Sequence, residues 1–247
     1  MGIVKTVVII QARMTSTRLP GKVMKLLGGK SLLENIYERI ARAKNIDAVV
    51  IATSYELSDN PIVDMCKTNH MKYYRRSLDN VLERYYKCAK HYGADVIVRC
   101  TGDNPLIDPQ IIDEAIFHYK DLDTDYLYYK RRLPLGMGVE VFNFKSLSKA
   151  YNEAENEECL EHVTPYIINN PKMFEVIEYE DNKDEDLSYL RFTVDTDKDF
   201  GFVSKIYDSF PNSDFSYIEI LKLLKQHPEW IKINSMVRQK KVTYSGE

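Results

Sequence analysis

The sequence is short of the features that mark several large functional classes. It has no excess of positive charge: the formal net charge is −3 over 247 residues, which provides no general pull toward a nucleic-acid backbone. Its four cysteines, Cys66, Cys88, Cys100 and Cys159, form no CxxC pair and have no histidine at zinc spacing, which argues against a zinc module and a disulfide framework. They read instead as small core residues of a protein kept in a reducing compartment. The apolar run that opens the chain stops at Gln11, too short to span a membrane and without a leader cleavage site. Gly2 meets the bare myristoylation pattern, but the strand reading of Val7 to Ile10 speaks against it. Neither GxxxxGK[ST] nor GxGxxG is present, and there is no internal repeat, low-complexity segment or Gly/Ser linker. These absences lead to an expectation of a cytoplasmic protein that engages neither membrane nor nucleic acid. The tyrosines and phenylalanines, 18 and 9 in number, are scattered without a basic stripe and read as ordinary packing rather than as a base-stacking platform.

What is present is a regular alternation. Lys5 to Ile10 is a β-branched run that reads as a strand buried on both faces. The spacing of Leu32, Leu33, Ile36, Tyr37, Ile40 and Ala41 predicts a helix over Ser31 to Lys44, with Ser31 as N-cap and Glu34 closing a capping box. Strands follow at Ala48–Thr53, Met71–Tyr74 and Asp95–Cys100. Between and after them helices are expected at Asn60–Asn69, Asn80–Tyr92 and Pro109–Tyr119. Such β-α repetition predicts an α/β fold with an open, mostly parallel sheet flanked by helices, whose ligand edge is the carboxyl end of the strands. Beyond Asp123 the pattern loosens. Asp125–Lys130, Val139–Phe144, Phe174–Glu180 and Arg191–Val194 read as strands, some antiparallel, and Lys198–Phe210 and Phe215–Gln226 as helices. Asn182 to Asp186 reads as a solvated acidic loop. Length favours one domain over 1–247, with a regular first half to 122, a less regular second half from 123 to 210 and a C-terminal helix and tail from 211.

Two loops at the ligand edge carry chemistry. After the first strand come Gln11, Ala12, Arg13, Met14, Thr15, Ser16, Thr17, Arg18, Leu19, Pro20, Gly21 and Lys22. Free backbone N–H groups, hydroxyls, two arginines and a lysine in one turn suit a polyphosphate. After the fourth strand come Thr101, Gly102, Asp103, Asn104 and Pro105. Asp103 is placed to hold a hard cation such as Mg²⁺, and Gly102 permits close backbone approach. Asp108 before Pro109 reads as a helix cap. Near the end, Thr196 and Asp199 form a capping box and leave Asp195 apart, with Asp197 a weaker candidate. Arg76, Ser77, Asp79 and Arg84 are open to two readings, a capped amphipathic helix or a nucleotide contact. Glu140 interrupts an apolar strand, which is costly unless it is paired or exposed. His162 reads as either a structural histidine or a substrate contact, and Arg131 and Arg132 as either anion contacts or solvated charges.

QARMTSTRLPGK resembles the nucleotide loop of the cytidylyltransferases that make CMP-activated acidic sugars, the CMP-acylneuraminate and CMP-3-deoxy-manno-octulosonate synthetases. It is most similar to their relative, the spore-coat polysaccharide biosynthesis protein F family. RSLDNVLERY, TGDNPLIDP, EHVTPY and RFTVDTDKDF resemble that branch in the same order, so the likeness spans residues 4 to about 210; Asn80 departs from the acidic residue usual there, and the last 35 residues are not anchored by it. The resemblance implies a single-domain, Rossmann-like (GT-A-like) nucleotidyltransferase with an irregular antiparallel sugar-side region. It implies transfer of CMP from CTP to a sugar hydroxyl, with Mg²⁺ as cofactor, an acidic sugar as acceptor and a homodimer as the assembly. In residue terms it implies catalysis by Arg13, Arg18, Lys22 and Asp103, and metal binding by Asp103 and Asp195. The nucleotide would meet Gln11, Ala12, Arg13, Met14, Ser16, Arg18, Lys22, Arg76, Ser77, Thr101 and Gly102, and the sugar Glu140 and His162. Two other functions fit the same residues: a nucleotidyltransferase of this fold with another NTP or a phosphorylated non-sugar acceptor, and a non-catalytic nucleotide-binding protein of glycan assembly.

Overall fold

The computed structural model describes residues 4–130, 132–180 and 185–239. Gly2, Arg131, the first part of the acidic loop (182–184) and the end of the tail lie outside the described residues.

The first strand, β1 (Thr6–Gln11), is buried on both faces: Val7 and Ile9 pack into one apolar cluster, Val8 and Ile10 into the other. After a two-residue hairpin, β2 (Leu26–Leu27) and β3 (Lys30–Ser31), come α1 (Leu32–Ile40), β4 (Ala48–Ser54), α2 (Asn60–Thr68), β5 (Tyr73–Arg76), α3 (Val81–Tyr92), β6 (Val96–Thr101) and α4 (Pro109–Asp121). The second half adds β7 (Tyr126–Tyr129), β8 (Val139–Asn143), α5 (Phe144–Glu153), α6 (Glu157–His162), α7 (Pro165–Ile168), β9 (Val176–Tyr179), α8 (Asp197–Asp208) and α9 (Tyr217–Gln226). The seven-stranded sheet has the order β5-β4-β1-β6-β8-β7-β9. β8 pairs antiparallel with both β6 and β7, and every other pair in the sheet is parallel. The carboxyl ends of β1, β4, β5 and β6 therefore share one edge, as the alternation predicts. α1, α4 and α8 cover one face, and α3, α5 and α7 the other.

Local chemistry explains the element starts. Ser31 Oγ accepts the Glu34 N–H at 3.1 Å, Asp108 caps α4 through the Gln110 N–H, and Thr196 with Asp199 forms a complete capping box on α8. Three expectations need correction. The third strand begins two residues later than its apolar run suggests, at Tyr73, because it is an edge strand paired only with β4 and needs fewer apolar residues. Arg76 consequently ends a strand rather than lying in a loop. The helix at Ser31 stops at Ile40, and the backbone N–H groups of Lys44 and Asn45 turn instead to the Asp113 carboxylate. Arg191 to Val194 is extended but makes only one bridge, with Leu135, because its backbone bonds to loops: Phe192 N–H to Leu135 O at 2.8 Å and Val194 N–H to Asp103 O at 2.8 Å. Helices α5, α6 and α7 lie where the periodicity is irregular.

Candidate active site

The loop after β1 is pinned from outside its own motif. Met14 donates its N–H to Asp59 Oδ1 at 2.7 Å, and the other Asp59 oxygen accepts from Thr53 Oγ1 and from the Ser54 N–H. Asp59 is fully buried, so this carboxylate exchanges water for fixed donors and fastens the loop to β4. The chain then closes on itself, with Ser16 and Gly21 N–H groups both donating to Met14 O. Gly21 sits at φ 68°, a left-handed turn that favours glycine. It delivers Lys22, 7 % exposed, to the sheet edge.

Lys22 is where distant parts of the chain meet. Its ammonium donates to Asp103 Oδ2 at 3.1 Å, to Asp195 Oδ1 at 2.9 Å and to Val194 O at 2.7 Å. Asp103 is oriented by Thr101 Oγ1, which in turn accepts from Asn104 Nδ2. Asp195 Oδ2 accepts from Arg18 Nη2 at 2.9 Å and Arg191 Nη2 at 2.8 Å, and Arg191 Nε donates to Asp199. Burial on its own would raise the Asp195 pKa, but Lys22, Arg18 and Arg191 outweigh it and hold the carboxyl below its ordinary value. Asp195 is therefore a carboxylate at neutral pH. Asp197 faces solvent with Lys25 as its partner. Gly102 is explained by the protein itself: a Cβ there would lie 3.0 Å from Gln11 O and 3.1 Å from Ala12 Cβ, where the first two edge loops cross.

From this cluster a cleft of about 730 Å³ runs across the sheet edge. Of the residues singled out in the sequence, Gln11, Ala12, Arg13, Ser16, Arg18, Lys22, Thr101, Gly102, Asp103, Glu140, His162 and Asp195 line it. Met14, Arg76 and Ser77 do not. The Met14 backbone serves the loop clamp, Arg76 stacks on Tyr74 with 4.9 Å to the ring centre, and Ser77 Oγ accepts the Asn80 N–H. Asn80, rather than Ser77 or Asp79, caps α3. Arg132 is not among the lining residues. At the far end Glu140 is paired, as an acid in an apolar strand must be: Arg99 is bonded to one oxygen, while Tyr126 OH at 2.7 Å and Thr164 Oγ1 at 3.0 Å donate to the other. Burial together with the adjacent carboxylate pushes the Tyr126 hydroxyl well above the ordinary tyrosine value. Arg13 reaches Glu161 at 3.7 Å, with both side chains half exposed.

A family model described as Cytidylyltransferase matches residues 7–247. The chain belongs to the cytidylyltransferase family. Spore coat polysaccharide biosynthesis protein SpsF of Bacillus subtilis is 35% identical over 227 residues, which covers 90% of this chain and 94% of that one. The structure of a cytidylyltransferase from Leptospira borgpetersenii superposes with a TM-score of 0.87 at 32% identity, covering 97% of this chain and all of that one. A CMP:2-keto-3-deoxy-manno-octonic acid synthetase solved with CTP shares the fold, with a TM-score of 0.63 at 16% identity over 83% of this chain and 99% of that one.

Three residues that help build the site of this cytidylyltransferase, Arg99, Arg191 and Asp59, were not selected from its sequence as site residues. Arg99 had a usable signal, a charge inside the buried run DVIVRC, and its register partner is Glu140. Arg84, which the sequence left open between helix packing and a nucleotide contact, follows Val81 by one helical turn on the buried face of α3 and lines the cleft. Arg191 and Asp59 had no signal of their own. Their roles depend on partners 4 to 8 residues away in one case and 45 residues away in the other. The C-terminal segment also enters this cytidylyltransferase's site: Asn234 Nδ2 donates to Arg191 O and Asp199 Oδ1, and Gln239 Oε1 accepts from Arg191 Nη1.

Proposed function

We propose that this cytidylyltransferase transfers CMP from CTP to a hydroxyl of a sugar, releasing pyrophosphate and forming a nucleotide sugar for surface polysaccharide. The observation that carries the reading is the Lys22 ammonium held between Asp103 and Asp195 at the mouth of a nucleotide-sized cleft. The sugar oxygen forms a bond to the α-phosphorus as the bond from that phosphorus to the bridging oxygen breaks. The electron pair leaves on pyrophosphate, and the hydroxyl proton ends on pyrophosphate or water. Such a reaction needs alignment and neutralised phosphate charge more than covalent help from the protein.

Arg18 and Lys22 are the groups suited to the phosphates. Both are now satisfied by Asp195, and Arg18, with its side chain 27% exposed, exchanges partners at little cost. Arg13, half exposed and weakly paired, is suited to join them. Arg191 stays behind to hold Asp195 in place, because Asp199 and Gln239 fix it from the other side. Asp103 Oδ2 and Asp195 Oδ1 both accept from the Lys22 ammonium, and two such hard oxygen donors would suit a Mg²⁺ ion that completes its shell with phosphate oxygens and water once Lys22 turns to the nucleotide. Among the described residues no group of three or more His, Cys, Asp or Glu side chains is arranged to hold a metal by itself, so Asp103 and Asp195 would share it with the nucleotide. When bound, Mg²⁺ would polarise the α-phosphate and acidify the incoming hydroxyl. Glu140 and His162 border the far end of the cleft and are assigned to the sugar, with acidic sugars as the first class to test.

A pyrophosphate-release assay over the four NTPs, against a panel of acidic sugars and with or without EDTA, decides the reading. Release with CTP and at least one sugar, abolished by EDTA and restored by Mg²⁺, is expected. Preference for another NTP, or CTP binding with no release for any acceptor, replaces it. The reading includes a homodimer in the cytoplasm, which sedimentation of the purified chain and cell fractionation test; among the described residues no helix is long and apolar enough to cross a membrane.

A further inference from the structure

The segment joining α6 to α7 holds two backbone conformations that a chain ordinarily avoids. Val163 sits at φ 73° and ψ −55°, and the Thr164 N–H returns to His162 O at 2.9 Å. That is a γ-turn of the rarer, strained hand. Among the described residues Val163 is the one β-branched side chain at positive φ, where the atoms on Cβ crowd the backbone. The next residue, Thr164, has helical dihedrals, φ −97° and ψ −13°, directly before Pro165, a combination that the proline ring disfavours. A connection that needed only to turn would take glycine, which adopts positive φ without steric cost.

Strained backbone persists only where its surroundings over-determine it, and it concentrates at binding and catalytic sites. Here the surroundings are firm. The Val163 side chain is fully buried in the apolar cluster that also holds Leu82, Tyr85 and Ile167, and its N–H donates to Cys159 O at 3.1 Å. Thr164 Oγ1 donates to Glu140 Oε1, and the Thr164 carbonyl accepts from Ile167 and Ile168. The three side chains around Val163 serve three parts of the site. Glu161 meets Arg13 of the loop after β1, His162 borders the cleft, and Thr164 completes the wall at Glu140. Had α6 continued as a helix, residues 162 and 164 would point roughly 200° apart and could not serve the same end of the cleft.

We infer that Val163 is a positioning residue for the acceptor: its buried side chain holds the γ-turn closed, and the closed turn sets His162 at a fixed place beside the Glu140 wall. The inference rests on the transfer reading for the assignment of this end of the cleft to the acceptor. A β-branched residue accepts this conformation only while its side chain is locked in the core. The turn is therefore formed with the core or lost with it, and His162 has one place rather than several. Such preorganisation matters because misplacing a contact by about 1 Å costs on the order of 10²-fold in rate.

The test sets Val163→Ala against Val163→Gly, by thermal unfolding and by kinetics with CTP and the panel sugar that best supports pyrophosphate release. Alanine keeps the steric cost of positive φ and removes most of the anchor, so the turn should open. The KM for the sugar should rise at least about tenfold, while that for CTP stays within about twofold. Glycine leaves the larger cavity but accepts the turn without strain. Val163→Gly should therefore melt above Val163→Ala and recover part of the lost sugar KM. A side chain that only fills the core gives the opposite order on both counts, since glycine is ordinarily the worse replacement, and that order overturns the inference. So does a folded Val163→Ala with the wild-type sugar KM. Should neither variant fold, a crystal structure of the wild type decides: Val163 at negative φ overturns the inference, and the γ-turn with His162 in the cleft supports it. Failure of the transfer reading appears separately, as no pyrophosphate release with any sugar, and leaves the melting order and the crystal structure readable.

Discussion

Arg18, Lys22 and Arg191 gather around Asp195 at one end of the cleft, while Arg99 meets Glu140 at the other, and water reaches the two ends to different extents. At the first end the exposure is uneven: Arg18 and Asp103 each keep 27% of their side-chain surface exposed, while Lys22 and Asp195 keep 9% and Arg191 6%; at the second, Arg99 and Glu140 keep 16% and 14%. The first cluster shares its carboxylates among several cations, so one cation can leave without stranding a charge. The second has one cation, with a hydroxyl from Tyr126 and another from Thr164 completing the carboxylate. Similar residue types thus make an exchangeable set where phosphates are proposed to bind and a fixed wall where the acceptor is proposed to lie.

Substitutions at the two ends should separate along that line. Asp103→Asn is expected to lower kcat by on the order of 10²–10³-fold with little change in thermal unfolding, because Asp195 still answers Lys22. Wild-type turnover by the folded variant removes Asp103 from the chemistry. Glu140→Ala should instead act on the fold, lowering the unfolding free energy by about 3 kcal/mol in urea titration, since it leaves the Arg99 charge buried and the Tyr126 hydroxyl without its acceptor. A loss below about 1 kcal/mol would show that the far wall is no more fixed than the near one.

The pH dependence sharpens the contrast. Asp195 has a depressed pKa in the folded protein, so its contribution to stability is fully present above the ordinary carboxylate value of about 4 and is lost as pH falls through the folded value. Wild type should therefore lose thermal stability below about pH 4 more steeply than Asp195→Asn, and parallel curves would contradict the ionic account of this cluster. The smallest effect belongs to Arg13 and Glu161, both half exposed and 3.7 Å apart. A double-mutant cycle on the unbound protein should find a coupling under about 0.5 kcal/mol, which leaves Arg13 available to a ligand.

Much of the fold was legible because it depends on local patterns. The β1 run, the Asp108 and Thr196 caps and the apolar spacing of α3 each act over a few residues, and their elements stand close to where those patterns place them. The edge strand β5 and the extended segment at Arg191 were less legible, because what holds their backbones is non-local. Within the site, the loops bearing Lys22 and Asp103 were visible as unusual clusters of polar residues at strand ends. Arg84 stayed open between two readings because of its helical spacing, and Asp59 was masked by an ordinary position before a helix whose backbone it does not cap.

By itself the sequence determined which residue types stand at the ends of β1 and β6, the helical and strand periods that place those ends at one edge, and the family signature in the loops. Only the tertiary structure decided that Lys22 lies between carboxylates 81 and 173 residues away and that Glu140 is neutralised by Arg99. The reason is range. Periodicity and capping are set by neighbours along the chain, whereas the partner of a buried charge is whichever group the packed sheet brings within about 3 Å.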